Sequence, residues 1–169
     1  RLRPHAEKIF KFALENNIPV YVLSAGLGNV INAFLRKTVE AYLSLEEKKL
    51  VTLVSNQVYF DERTKKVNGY NKPPMNTFTK TDFLKEAFKH EGKNTLIFGD
   101  HHHDSLCVEK LTLNKTLSLA FANYSREYLE IENKDQLERY RLHWDGILLN
   151  DNTFELHENI LNWLKEQTK

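Results

Sequence analysis

The 169-residue chain contains one cysteine, Cys107, so no intrachain disulfide can form. A reducing compartment, and with it a cytoplasmic location, is the natural reading. The chain lacks any run of 18 apolar residues, which excludes a bilayer-spanning helix. It also lacks an excess of either charge. Lys and Arg total 24, Asp and Glu total 23, and the net charge is +1. That balance removes the electrostatic reason to expect nucleic acid or an anionic membrane as partner. No secretory signal, internal repeat, low-complexity tract or linker is visible. The first residue is Arg1 rather than Met, at the start of an apparent helix, so the chain is expected to begin within a longer polypeptide. What is present is ordinary for a globular domain: 41% apolar and 28% charged residues, enough for one domain over 1–169.

Apolar segments rich in β-branched residues at 19–23, 51–54, 95–98, 116–121 and 146–149 read as strands. Helical spacing marks 4–16, 27–43, 81–90, 103–111, 125–141 and 154–166. Val58–Phe60 and Val67–Tyr70 flank a polar turn and read as a small hairpin. Strands alternating with helices predict a three-layer α/β core, with the five strands in one mainly parallel sheet.

The most informative stretch runs from Leu96 to Asp104. A short apolar strand breaks at Gly99-Asp100, and Asp104 follows four residues later. A strand ending there delivers carboxylates to the carboxyl edge of a sheet, where open α/β folds bind ligands, and oxygen-rich sites of this kind suit Mg²⁺. Ser24-Ala25-Gly26 ends another apolar strand just before a helix. It offers a hydroxyl and backbone N–H groups to an anion, or a plain helix cap and turn. Lys80, between a Pro-rich loop and a helix, can neutralise a bound phosphate as a compact point charge. Gly26-x-Gly28 begins like a dinucleotide fingerprint, but Ile31 stands at the third glycine, which disfavours a dinucleotide site. His101-His102-His103 suggests a transition metal. Adjacent residues are not expected all to face one ion, although His101 and His103 could, and imidazole suits Zn, Cu or Ni more than Mg; a solvated loop is the preferred reading. Asp61 to Thr64 and Asn150 to Thr153 imitate a nucleophile loop. The first falls in the hairpin turn, and the second carries amides at Asn150 and Asn152, so both read as turn chemistry.

Together these segments resemble the cytosolic pyrimidine 5′-nucleotidase family of the haloacid-dehalogenase-like phosphatases. The resemblance rests on Ile18-Pro19-Val20 with Ser24-Ala25-Gly26-Leu27-Gly28, on Val54-Ser55-Asn56 with Phe60-Asp61-Glu62 and Gly69-Tyr70, on Lys80 with Asp82, and on Gly99-Asp100 with Asp104. It implies a Rossmann-like core lacking the family's cap and first motif, which would precede Arg1. It further implies Mg²⁺-dependent hydrolysis of a nucleoside 5′-monophosphate through an aspartyl-phosphate. Ser24 and Ala25 would hold the phosphate, Lys80 would neutralise it and orient the nucleophile, and Asp100 and Asp104 would serve the metal. The nucleophile would lie outside the chain, reached by pairing with an N-terminal segment or another subunit. His101, His103 and Thr79 depart from the family's residues. A catalytically inactive relative acting as a structural or binding subunit is therefore the alternative.

Overall fold

The computed structural model describes residues 2–70, 73–151 and 153–167. Two compact units divide the chain: Arg1–Met75 with Thr153–Lys169, and Asn76–Asn152.

The first unit opens with α1 (Ala6–Glu15), continues through β1 (Val20–Leu27), α2 (Gly28–Thr38), α3 (Glu40–Glu47) and β2 (Val51–Asn56), and closes with α6 (Glu155–Gln167). β1 and β2 pair in parallel from Val20↔Val51 to Ser24↔Ser55. The register then jumps to Leu27↔Asn56, so β1 carries two extra residues, Ala25 and Gly26. Such a bulge bends a strand and re-aims its backbone. Leu35, Val39 and Tyr42 form the buried centre, packed against Phe10, Val22, Ile31 and Val51. The single helix expected over 27–43 is two. At Val39 the backbone is extended (φ −118°) while its N–H still bonds Leu35 O at 2.9 Å. Val39 is almost wholly buried, so packing prevails over the continuous helical pattern. The hairpin appears as expected: β3 (Val58–Phe60) and β4 (Val67–Tyr70) are antiparallel.

The second unit contains α4 (Lys80–Ala87), β5 (Thr95–Gly99), a 3₁₀ turn (Ser105–Val108), β6 (Thr116–Ala122), a π turn (Tyr128–Glu132), α5 (Lys134–His143) and β7 (Gly146–Leu149). β6 pairs in parallel with β5 on one side and β7 on the other. As the middle strand it is the most buried, with Leu119, Ala120, Phe121 and Ala122 all inaccessible. Ala120 and Ala122 join Leu129, Leu137, Tyr140 and Trp144 in one core. The polar segment expected as a helix over 125–141 divides at Asn133. There the side chain accepts the Gln136 N–H and caps α5.

Parallel strands, intervening helices and a small antiparallel pair make a Rossmann-like α/β core, as the strand and helix pattern predicts. One expectation is corrected. The five parallel strands do not form one ladder. Among the described residues, β1 pairs with β2 and β5–β6–β7 form a separate three-stranded ladder. Apolar β-rich segments announce strands, but which strand lies beside which depends on backbone pairing that side-chain type does not encode.

Candidate active site

In the second unit the end of β5 is built around one carboxylate. Asp104 Oδ1 accepts from Lys80 Nζ at 2.8 Å. Asp104 Oδ2 accepts the backbone N–H groups of Asp100 and His101 at 3.3 and 3.2 Å. The Asp104 N–H in turn donates to His101 O at 2.9 Å. The carboxylate therefore closes its own turn and anchors the lysine that α4 delivers. The Lys80 and Asp104 side chains are only 14% and 17% exposed, so this ion pair is largely withdrawn from water.

Gly99 makes that approach possible. A Cβ there would lie 2.7 Å from Asp104 Cβ and 2.8 Å from Trp144 Cη2, closer than carbon atoms pack. The glycine that ends the strand is thus a requirement of close packing.

Asp100 is exposed at the tip of this turn, and no hydrogen bond holds its carboxylate among the described residues. Its backbone is fixed from the other side: the Tyr140 hydroxyl, on α5, donates to Asp100 O at 2.7 Å. Tyr140 is 1% exposed, and burial raises its phenol pKa, so it remains a neutral donor. Tyr140 carries no motif signal. Its part in the site follows from α5 packing on β6, which local pattern does not reveal. Tyr140→Phe is expected to cost about 1–2 kcal/mol, since the Asp100 carbonyl loses its buried donor. Urea unfolding compared with the parent chain measures it.

The three imidazoles are not the solvated loop expected. His102 is buried at 8% exposure, and the rings of His101, His102 and His103 lie 4.1 to 5.1 Å apart, centroid to centroid. Desolvation, reinforced by the neighbouring His101, His103, Arg139 and His143, lowers the His102 pKa to about 4. His103 is lowered by the same desolvation, with Asp104 opposing. Both are neutral at pH 7.

Cys107 is buried beneath this turn and donates to His103 O at 3.6 Å. Burial pushes its thiol pKa up to about 11, although Lys80 pulls the other way. The reactive species is the thiolate, so at pH 8 only about one molecule in a thousand carries it. In the folded chain, Cys107 is expected to react with a disulfide reagent far more slowly than in urea. Equal rates in the two states would refute this.

The first unit holds the other two predicted residues. Ser24 Oγ accepts the Gly26 N–H at 3.1 Å, a turn that the two-residue bulge creates. Ala25 is held by Asn56, whose Nδ2 donates to Ala25 O at 2.7 Å and to Met75 O at 2.9 Å, while its Oδ1 accepts the Met75 N–H at 2.7 Å. Asn56 ends the Val54-Ser55-Asn56 segment, and its role as a clamp on Ser24-Ala25 depends on a partner 31 residues away; the only local signal is an amide directly at a strand end. Beneath the loop, a Cβ at Gly28 would collide with Ser55 Oγ and Gln57 Nε2, so a larger residue there would push both side chains aside.

The first of the imitation nucleophile loops is a turn. Asp61 Oδ1 accepts both the Thr64 N–H and hydroxyl, at 2.6 and 2.7 Å, closing the hairpin. These bonds lower the Asp61 carboxyl pKa. Asn150 adopts a left-handed φ of 51° after β7, and Asn152 lies outside the described residues.

Of the sequence-predicted residues, Lys80, Asp100 and Asp104 are thus brought together in the second unit, while Ser24 and Ala25 shape a separate loop in the first. The order of these segments agrees with a family match. The model of the family described as Pyrimidine 5′-nucleotidase (UMPH-1) matches residues 1–165. The chain belongs to this family. Among curated relatives it is similar to the Caenorhabditis elegans protein "Putative cytosolic 5′-nucleotidase 3", with 26% identity over 166 residues. That alignment covers 93% of this chain and 41% of the relative, so the chain spans less than half of the relative's length. No described helix is long and apolar enough to cross a membrane.

Proposed function

We propose that the chain contributes the phosphate-handling and metal-side residues of a Mg²⁺-dependent 5′-nucleotidase acting on pyrimidine nucleoside 5′-monophosphates. The observation that carries this reading is the withdrawn Lys80–Asp104 pair beside an unengaged Asp100. An ammonium held in place by a carboxylate is a preorganised positive charge, which phosphoryl transfer needs because it proceeds by positioning and charge neutralisation. Asp100, an exposed carboxylate whose backbone is fixed, fits Mg²⁺, which usually keeps several waters and takes one or two protein carboxylates. Asp104 supports it from behind: both its oxygens already accept hydrogen bonds, so its task is to hold Lys80 and the Asp100 turn. When bound, the ion supplies Lewis-acid polarisation of the phosphoryl oxygen. Ser24 and the Ala25 backbone, clamped by Asn56, would receive the phosphate oxygens. The nucleophilic aspartate of the aspartyl-phosphate route would come from residues outside these 169, because Asp61 is consumed by its turn and Asn150 is an amide. A cytoplasmic setting follows the relative's name and the free, buried thiol.

The alternative, a non-catalytic relative, is favoured by one observation: a packed histidine cluster directly follows Asp100. Phosphate release from CMP and UMP with excess Mg²⁺ separates the readings. The 169-residue chain alone is expected to stay at background. Robust turnover by it, lost in Asp100→Asn, would show that it carries its own nucleophile. If the polypeptide encoded upstream restores turnover in trans, the split-site reading stands. A folded but silent complex favours the non-catalytic relative.

A further inference from the structure

We propose that His101, His102 and His103 form a binding site for a late first-row divalent cation, with Zn²⁺ as the natural probe, separate from the Mg²⁺ chemistry assigned to Asp100. The three side chains each offer one ring nitrogen, and these atoms all lie within 4.8 Å of one another. Three nitrogens on a tetrahedral Zn²⁺ at about 2.0–2.1 Å are about 3.4 Å apart, so modest ring rotation closes the set. Imidazole suits Zn²⁺, Cu²⁺ or Ni²⁺ and is a poor match for Mg²⁺, whose preferred partners are oxygens.

The second observation is independent of the clustering. The Nδ1 atoms of His102 and His103 are buried and have no hydrogen-bond partner among the described residues. His102 is more than nine-tenths buried. A buried polar nitrogen left unsatisfied is costly, and a bound cation removes that cost. His101 is differently placed. Its Nδ1 accepts the His103 N–H at 3.2 Å, a long bond that a metal bond at that atom would replace.

The turn is held before any ion arrives. Asp104 fixes the His101 N–H, the Ser105 hydroxyl donates to His102 O at 3.3 Å, and Cys107 bonds His103 O. Ligands on a backbone anchored at three successive residues lose little freedom on binding. The surrounding charges are mixed: Arg139 and His143 oppose a cation and Asp104 favours it. With three protein ligands, a tetrahedral ion keeps one position open to water or to an incoming oxygen ligand.

The test uses the full 169-residue chain without an affinity tag, stripped with chelator and held in millimolar Mg²⁺. Calorimetric titration with Zn²⁺ alone is expected to show one equivalent bound. Co²⁺ in its place should give the intense visible absorption of a four-coordinate centre. The double variant His101→Gln/His103→Gln keeps buried His102, so the fold is spared, and it should weaken Zn²⁺ binding more than about tenfold, or 1.4 kcal/mol. No stoichiometric uptake, a weak six-coordinate Co²⁺ spectrum, or uptake unchanged in the double variant would each overturn the site. The readout is independent of phosphate release, so either result leaves the nucleotidase reading to its own experiment.

Discussion

Replacing Lys80 by methionine is expected to destabilise the second unit by about 3 kcal/mol, at the lower end of what breaking a buried ion pair costs. The reason is the carboxylate left behind. Asp104 is only 17% exposed, and its partner lies at 2.8 Å. Without the ammonium, Asp104 keeps a charge in a poorly solvated position and retains only two main-chain donors, from Asp100 and His101. The double variant Lys80→Met/Asp104→Asn tests this cause directly. Asparagine still accepts those N–H bonds but carries no charge, so most of the lost stability should return. Urea unfolding of the parent, the single variants Lys80→Met and Asp104→Asn, and the double variant gives the coupling energy. A Lys80→Met loss below about 1 kcal/mol would mean that the pair behaves as a solvent-screened surface bridge. If Lys80 neutralises the phosphate as proposed, that function would be lost in both Lys80 variants, whatever their stability. Phosphate release in the proposed reconstituted system and stability of the fold should then part company in the double variant.

Gly99→Ala is the second large effect. The added methyl would lie 2.7 Å from Asp104 Cβ, 2.9 Å from Asp104 Oδ2 and 2.8 Å from the Trp144 ring. Neither neighbour can yield cheaply. Trp144 belongs to the core around Ala120 and Tyr140, and Asp104 is tied by hydrogen bonds that both its oxygens accept. Overpacking of this kind typically costs 1–3 kcal/mol, and the upper end, roughly 3 kcal/mol, is expected here. Relief requires Asp104 to move, which loosens its hold on Lys80 and on the Asp100 turn. The effect therefore reaches the site as well as the fold. Gly69→Ala is the control: a methyl there meets only Tyr59 Cδ2 at 3.7 Å, an ordinary contact, and stability should change little. Thermal unfolding of both variants, with hydrogen exchange at the Asp100 and His101 amides, distinguishes a local clash from a general glycine effect. If the two variants behave alike, close packing at Gly99 is not the cause.

The chain's local order determined a good deal by itself. The apolar β-rich runs marked all five parallel strands, and the turn residues marked the hairpin, because side-chain period and turn chemistry are local properties. Gly99, Asp100 and Asp104 could be singled out because a strand end is recognisable from its own few residues, and Lys80 because it stands between a Pro-rich loop and a helix. Asp61 could be set aside for the same reason, since its bonds to Thr64 span only three residues. What tertiary structure alone decided involves partners distant in the chain. The separation of β1–β2 from β5–β6–β7 is a matter of backbone pairing between remote segments. The break at Val39 reflects a buried position that outweighs helical spacing. Tyr140 reaches Asp100 across 40 residues, and Asn56 reaches Ala25 across 31. The histidine run shows the difference most clearly. As a string, three adjacent imidazoles read as a wet loop, because neighbouring side chains are not expected all to face one ion and no Cys or further His sits at a matching spacing. The tight turn that Asp104 closes behind Gly99 gathers their rings and buries the middle one. Hydrogen bonds across that turn, and a glycine that admits them, turned a polar run into a cluster with unmet ligand atoms.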